Sequence, residues 1–260
     1  MSYKIAGAPC CWGVESADNE FNPHWYTVLR ETQEAGFKGL ELGPYGFLPL
    51  DSDIITPKLH ALDLQICAGT IYDPLSVPEM REAVLAKTRK LCGILQQLDT
   101  KLLVVIDAVC EARNPYAGLP EEAPRLSDER WVFMMDTIRQ IAAIAKQHGV
   151  RAVVHPHAGG YIEFKDETDR MLTDLSHEEV GLCLDTGHLY YACQDPAQSL
   201  IEYKDRLDYV HFKDVQADVY KQVVNERIGF FAGCARSVMC RLVKGYRLQS
   251  RLHGIAGNSL

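Results

Sequence analysis

Short apolar runs alternate with longer amphipathic stretches along most of the chain. The run Leu102-Leu103-Val104-Val105-Ile106 is the clearest of the first kind, rich in β-branched residues and bounded by polar ones. The stretch 78–98 is the clearest of the second, with Val84, Leu85, Leu91, Ile94, Leu95 and Leu98 close to helical period. This alternation predicts strands over 3–8, 38–42, 65–68, 101–106, 150–154, 181–184 and 208–212. Helices are predicted over 22–35, 53–62, 78–98, 127–148 and 165–175, and a further one opens at Asp195-Pro196. Local chemistry marks their limits: Asn22-Pro23 reads as an N-cap followed by proline at the first helical position, and Gly36 and Gly149 as stops.

Alternating strands and helices imply parallel strands joined by right-handed crossovers. Polar side chains recur where the strands end: Glu41, Asp107, His155 with His157, Asp185 and His211. An open sheet would spread these along an edge, whereas a closed barrel gathers strand ends around one mouth. A dinucleotide-binding sheet would want a Gly-x-Gly-x-x-Gly turn after its first strand, and Gly7-Ala8-Pro9-Cys10-Cys11 is not one. The expectation is an α/β fold of the (β/α)8-type TIM barrel. Asp185 is the first polar residue after the run Gly181-Leu182-Cys183-Leu184, and Thr186-Gly187 turn the chain so that His188 reaches the same mouth. A carboxylate and an imidazole converging there suit a divalent metal or a proton-transfer pair. The plainer alternative has Asp185 capping the next segment and His188 bonding a carbonyl. The polar loop 114–124, rich in proline and glycine, reads as a lid.

Composition narrows what such a fold handles. At 260 residues and 47% hydrophobic, the length and core suit a single barrel. A net charge of -8 argues against a nucleic-acid surface or an anionic membrane as partner. The 9 cysteines, an odd number without zinc-finger or redox spacing, point to reduced thiols in a cytoplasmic protein. Adjacent Cys10 and Cys11 read as packing residues rather than a redox pair. No apolar run approaches the roughly 20 residues of a membrane span, and no signal-peptide pattern precedes the first strand. A small-molecule substrate is the expected partner, with room left for a homo-oligomer.

Five stretches resemble the xylose-isomerase-like barrel superfamily, in particular sugar phosphate isomerase/epimerase-type proteins and inosose dehydratases. They are Ala8-Pro9-Cys10-Cys11-Trp12-Gly13-Val14, Gly39-Leu40-Glu41-Leu42-Gly43-Pro44-Tyr45-Gly46, His155-Pro156-His157-Ala158-Gly159, Leu184-Asp185-Thr186-Gly187-His188 and His211-Phe212-Lys213-Asp214. The resemblance implies a divalent ion at the mouth: manganese, cobalt, magnesium or zinc. Family ligands are a Glu on strand five, an Asp on strand six, a His on strand seven and a Glu on strand eight. Asp185 and His211 match the second and third, and His155 stands at the strand-five position. An imidazole there lowers the negative charge and tilts preference from magnesium towards manganese, cobalt or zinc. His157, two residues on, shares the strand face and reads as a substrate-side donor or a further ligand.

By the same resemblance, His188 falls on a substrate-contacting histidine, and Glu163 lies near the family's second strand-five carboxylate at a longer spacing. The implied chemistry lies next to a carbonyl of a keto-sugar or cyclitol, with Glu163 and His188 as acid and base. Moving the α-proton isomerises or epimerises; expelling a β-hydroxyl dehydrates. Trp12 and Tyr45 would wall the sugar ring, Glu41 would accept a hydroxyl, and Lys213 would steady the oxyanion. The plainer readings are core packing for the aromatics and a surface amine or a salt bridge with Asp214 for Lys213.

After Cys240 the resemblance ends. The segment 241–260 carries Arg241, Lys244, Arg247 and Arg251 without an acid, and no Asp or Glu follows Glu226 to act as the family's fourth ligand. The reading is a barrel over 1–240 and an aberrant basic tail over 241–260, in a C-terminally truncated or frame-shifted relative lacking the eighth strand and last helix. It predicts open strand edges, weak metal binding and impaired turnover. A divalent-metal-dependent sugar isomerase or epimerase is the leading expectation. Inosose dehydratase and a non-catalytic remnant or binding module are the alternatives. A repair endonuclease of the same superfamily would need a basic crescent that this acidic chain lacks.

Overall fold

The strands and helices that the apolar pattern predicts are present, with altered limits, in a computed structural model describing residues 5–242 and 244. In chain order come β1 (Ala6–Gly7), α1 (Trp25–Glu34), β2 (Gly39–Leu40), α2 (Ser52–Ala61), β3 (Gln65–Ile66) and β4 (Ala68–Asp73). Next are α3 (Arg81–Gln97), β5 (Leu102–Asp107), α4 (Asp128–Gln147), β6 (Arg151–Val154), α5 (Lys165–Asp174) and β7 (Gly181–Asp185). Then follow α6 (Thr186–Tyr191), α7 (Pro196–Glu202), β8 (Leu207–His211), β9 (Asp214–Val215), α8 (Ala217–Glu226), α9 (Phe230–Ala235) and β10 (Met239–Cys240). β1 to β3 form one sheet and β4 to β8 a second, both in sequence order, while β9 and β10 pair antiparallel. Two compact units divide the described chain: one takes residues up to 72, 79–105 and 138–152, the other 73–78, 106–137 and 153 onward.

In the first unit, β2 pairs in parallel with β1 and β3. Pairing continues past the strand end, since Glu41 N–H donates to Gly7 O and Leu42 N–H to Ala68 O, each at 3.0 Å. The helix predicted from Asn22-Pro23 starts instead at Trp25, where His24 caps the Tyr26 N–H. Asn22 instead donates from Nδ2 to the Ser16 and Ala17 carbonyls, and its Oδ1 accepts no helix N–H. α1 buries Val28, Leu29 and Thr32. The strand predicted over 65–68 runs on to Asp73, its later part as a neighbour of β5. Gly43 has φ +72, and a Cβ there would lie 2.5 Å from Pro9 Cγ, so only glycine passes this point unstrained. Cys10 and Cys11 are exposed rather than packed, because a tight turn over Pro9–Trp12 swings them outward. Trp12 donates from Nε1 to Glu31 Oε2 at 2.7 Å, Lys87 Nζ lies 5.3 Å from the Tyr45 ring centre, and Glu41 is buried.

In the second unit, β6 pairs with β7 through Val153 with Gly181 and Val154 with Leu182. A register shift between Leu182 and Cys183 then brings Asp185 opposite His211 of β8. β7 is buried throughout, whereas β8, the last strand of its sheet among the described residues, is half-exposed. An apolar cluster of Ala117, Ala158, Tyr191, Val215, Val223, Phe230 and Val238 packs beneath the loops at the strand ends.

The stretch predicted as a lid is pinned down. Arg113 is completely buried, donating to Pro124 O at 2.8 Å and to Glu167 at 2.7 Å, with its guanidinium 4.9 Å from the Phe164 ring centre. Asp107 works for the fold: its two oxygens accept from Leu75 N–H and Tyr161 N–H, and burial pushes its carboxyl up to about 6. All nine cysteines are thiols. No helix among the described residues is long and apolar enough to cross a membrane. Of the basic tail, Arg241, Leu242 and Lys244 are described, while Arg247 and Arg251 lie outside the described residues.

Candidate metal centre

Asp185 ends β7, His211 ends β8, and their register sets them side by side; His155 follows the last residue of β6. Three consecutive strand ends thus offer one donor atom each, and those atoms all lie within 4.8 Å of one another. Asp185 Oδ2 is 3.5 Å from His155 Nε2 and 3.7 Å from His211 Nδ1. Ligand atoms about 2.0–2.2 Å from a shared tetrahedral ion stand about 3.4 Å apart, so this trio would hold one with little adjustment. His155 and Asp185 are buried and the His211 side chain is 20% exposed, which leaves a way in.

The unsatisfied polar atoms fit an ion. Asp185 Oδ1 accepts from Gly187 N–H at 2.8 Å and His188 N–H at 3.1 Å, capping α6, which starts where a plain turn was predicted. The cap therefore occupies one oxygen only. Oδ2 is sealed from solvent without a well-directed hydrogen bond, as is His155 Nδ1. Two imidazoles and one carboxylate are a donor set suited to zinc, manganese or cobalt.

His188 and Lys213 stand on the same rim. Ala158 N–H donates to His188 Nδ1 at 3.1 Å, and His188 Nε2 lies 3.3 Å from Lys213 Nζ. Lys213 Nζ is 2.8 Å from Asp185 Oδ2, an ion pair that the sequence did not suggest, and Asp214 accepts from Val215 N–H. His157 turns away from the trio: its Nδ1–H donates to Ala158 O at 2.9 Å, and its ring stacks 4.1 Å from that of His188. Phe230 covers both rings at 4.9 Å.

Burial holds His155 below the usual imidazole range, and His157 and His188 well below it, so these rings are neutral, as ligands and bases must be. Burial alone would raise the Asp185 carboxyl, but Lys213, His188 and His155 outweigh it and hold it well below the carboxylate range.

Glu163 is placed behind this group. Its oxygens accept from Gly118 N–H at 2.7 Å and Gly159 N–H at 2.8 Å, with Arg113 Nη2 at 3.4 Å, and burial pushes its carboxyl up to about 7. Trp12, Glu41 and Tyr45 belong to the first unit. Sequence reasoning missed the Lys213–Asp185 pair, the buried Arg113 and the cover supplied by Phe230. For Lys213 a signal existed: it lies two residues after His211, on the same side of an extended chain.

The family profile described as xylose isomerase-like TIM barrel matches residues 29–235. The inosose dehydratase of Halalkalibacterium halodurans is 28% identical over 192 residues, which span 74% of this chain and 62% of that protein. The inosose dehydratase of Geobacillus kaustophilus is 29% identical over 244 residues, 91% of this chain and 77% of that one. The crystal structure of the IolI protein with a binding zinc atom superposes with a TM-score of 0.74 over 99% of this chain and 86% of that one, at 12% identity, a likeness of fold.

Proposed function

Because the chain belongs to the xylose isomerase-like TIM barrel family, we propose that it is a divalent-metal-dependent enzyme removing water from a cyclitol ketone of the inosose kind. The observation carrying this reading is the convergence of His155, Asp185 and His211 at three neighbouring strand ends, with His188 and Lys213 on their rim. The motifs alone put isomerisation or epimerisation first; the named relatives support elimination instead. An ion held by the trio would supply Lewis acidity at a substrate carbonyl.

The remaining chemistry falls to the chain's own groups. Ala158 N–H occupies His188 Nδ1, so the neutral ring carries its proton on Nε2, facing Lys213 Nζ. Two donors pointing at one another are relieved when an oxygen lodges between them and accepts from both. We assign that place to the departing hydroxyl. The hydroxyl accepts from His188 Nε2–H while Lys213 Nζ gives it a proton and takes up the α-proton in its place, so that water leaves, the C–O bond breaks and a carbon–carbon double bond forms beside the ketone. Glu163, with both oxygens engaged by backbone N–H groups, holds the loops that carry Gly118 and Gly159. Phe230 keeps bulk water from the imidazoles.

Nuclear magnetic resonance in heavy water tests this reading, using protein loaded in turn with zinc, manganese or cobalt and a panel of inososes and keto-sugars. Loss of one α-proton and one hydroxyl from an inosose is expected. A product that keeps every hydroxyl would favour the isomerase or epimerase reading. Absence of α-proton exchange with every substrate and metal would sink the enzymatic account.

A further inference from the structure

Lys213 puts its ammonium where a cation is wanted. Its Nζ lies 2.8 Å from Asp185 Oδ2, the same oxygen that faces His155 Nε2 and His211 Nδ1. Asp185 is 1% exposed, and an ionised carboxylate so placed demands a counter-charge. The main chain of Lys213 is clamped by Thr186, whose Oγ1 donates to Lys213 O at 2.7 Å and accepts from its N–H at 2.9 Å. The side chain is 31% exposed, so the flexible stem is the adjustable part of an anchored residue. His188 Nε2, 3.3 Å from Nζ, marks the direction in which that stem can move the amine.

We propose that Lys213 is a displaceable stand-in for the metal: its ammonium neutralises Asp185 while no ion is present, and an arriving divalent ion drives it off Oδ2, leaving it to its contact with His188. An ammonium and a divalent ion at one carboxylate oxygen repel strongly, so the two occupants exclude each other. The chain therefore binds metal more weakly than its three donors would on their own. The inference rests on the metal reading above, and its test separates the two.

Metal-free full-length chain is titrated with zinc by calorimetry as wild type, Lys213→Met, Lys213→Gln and Asp185→Asn. Zinc binding is expected in the wild type and lost in Asp185→Asn. Both lysine variants are expected to bind zinc at least about tenfold more tightly, since they remove a competing charge. In chelator the lysine variants melt below the wild type, because Asp185 loses its counter-charge, and zinc raises their melting temperature by more than it raises the wild type's. Equal or weaker zinc affinity in both lysine variants, with binding still dependent on Asp185, overturns the stand-in and leaves the metal reading intact. Zinc binding that ignores Asp185→Asn, or no binding at all, overturns both.

Discussion

At Asp185 the two carboxylate oxygens have separate tasks, Oδ1 holding the first turn of α6 and Oδ2 facing the donors of two other strands. Asparagine caps helices about as well as aspartate. Asp185→Asn is therefore expected to keep the far-ultraviolet circular dichroism of the wild type while losing divalent affinity on the order of a hundredfold or more, as read by calorimetry with zinc. Glu163 supplies a pH dependence. Its carboxyl is raised from 4.5 to about 7 by burial, so between these values the folded chain binds more proton than the unfolded one. Its contribution is present in full below pH 4.5 and lost as pH rises towards 7, by roughly 3 kcal/mol. Urea unfolding at pH 5 and pH 8 should show the wild type losing stability relative to Glu163→Gln as pH rises; parallel behaviour of the two would refute this. Slopes are the quantity to compare, because the Gln amide turns a donor towards a backbone N–H and costs about 1–3 kcal/mol at every pH.

Elements were easier to foresee than their ends. The helices over 81–97, 128–147 and 165–174 lie inside the predicted stretches because apolar spacing is a local property. The start of α1 escaped prediction because the cap is made by His24, whose ring accepts from Tyr26 N–H, while Asn22 donates to the carbonyls of Ser16 and Ala17. The loop after β5 reads as a lid by composition, and Arg113 at its start is tied to Glu163 and Glu167 of another segment. Burial lowers the Arg113 charge's comfort, and Glu167 and Glu163 restore it. Arg113→Met would leave Glu163 without its cation and Glu167 with Arg125 alone, an expected loss of about 3–5 kcal/mol measurable by chemical denaturation. Gly229 is a second fastening: at φ +86, any Cβ would come within 2.4 Å of Asn114 Nδ2, while Asn114 Oδ1 accepts from Phe230 N–H at 2.9 Å. Those contacts set Phe230 over His157 and His188.

For the whole molecule, metal and stability are linked by mass action. An ion that binds only the folded chain stabilises it by about 2.7 kcal/mol at a hundred times its dissociation constant. Melting in chelator and then in rising zinc should show a concentration-dependent upward shift, absent in Asp185→Asn; a wild-type melting curve indifferent to zinc would contradict the site. The amino-acid order by itself determined the alternation of strand and helix, the polar residues at strand ends and the acidic balance, because period and composition act over a few neighbouring residues. It marked His155, Asp185 and His211 as candidates, and it left isomerase ahead of dehydratase, whereas the relatives named above are inosose dehydratases. Only the tertiary structure decided that Asp185 sits opposite His211 after a shift at Leu182, that Lys213 pairs with Asp185, and that Glu163 serves two loops. Each of these depends on strand register and on loops far apart in the chain, where hydrogen-bond partners are chosen by packing rather than by neighbouring residues.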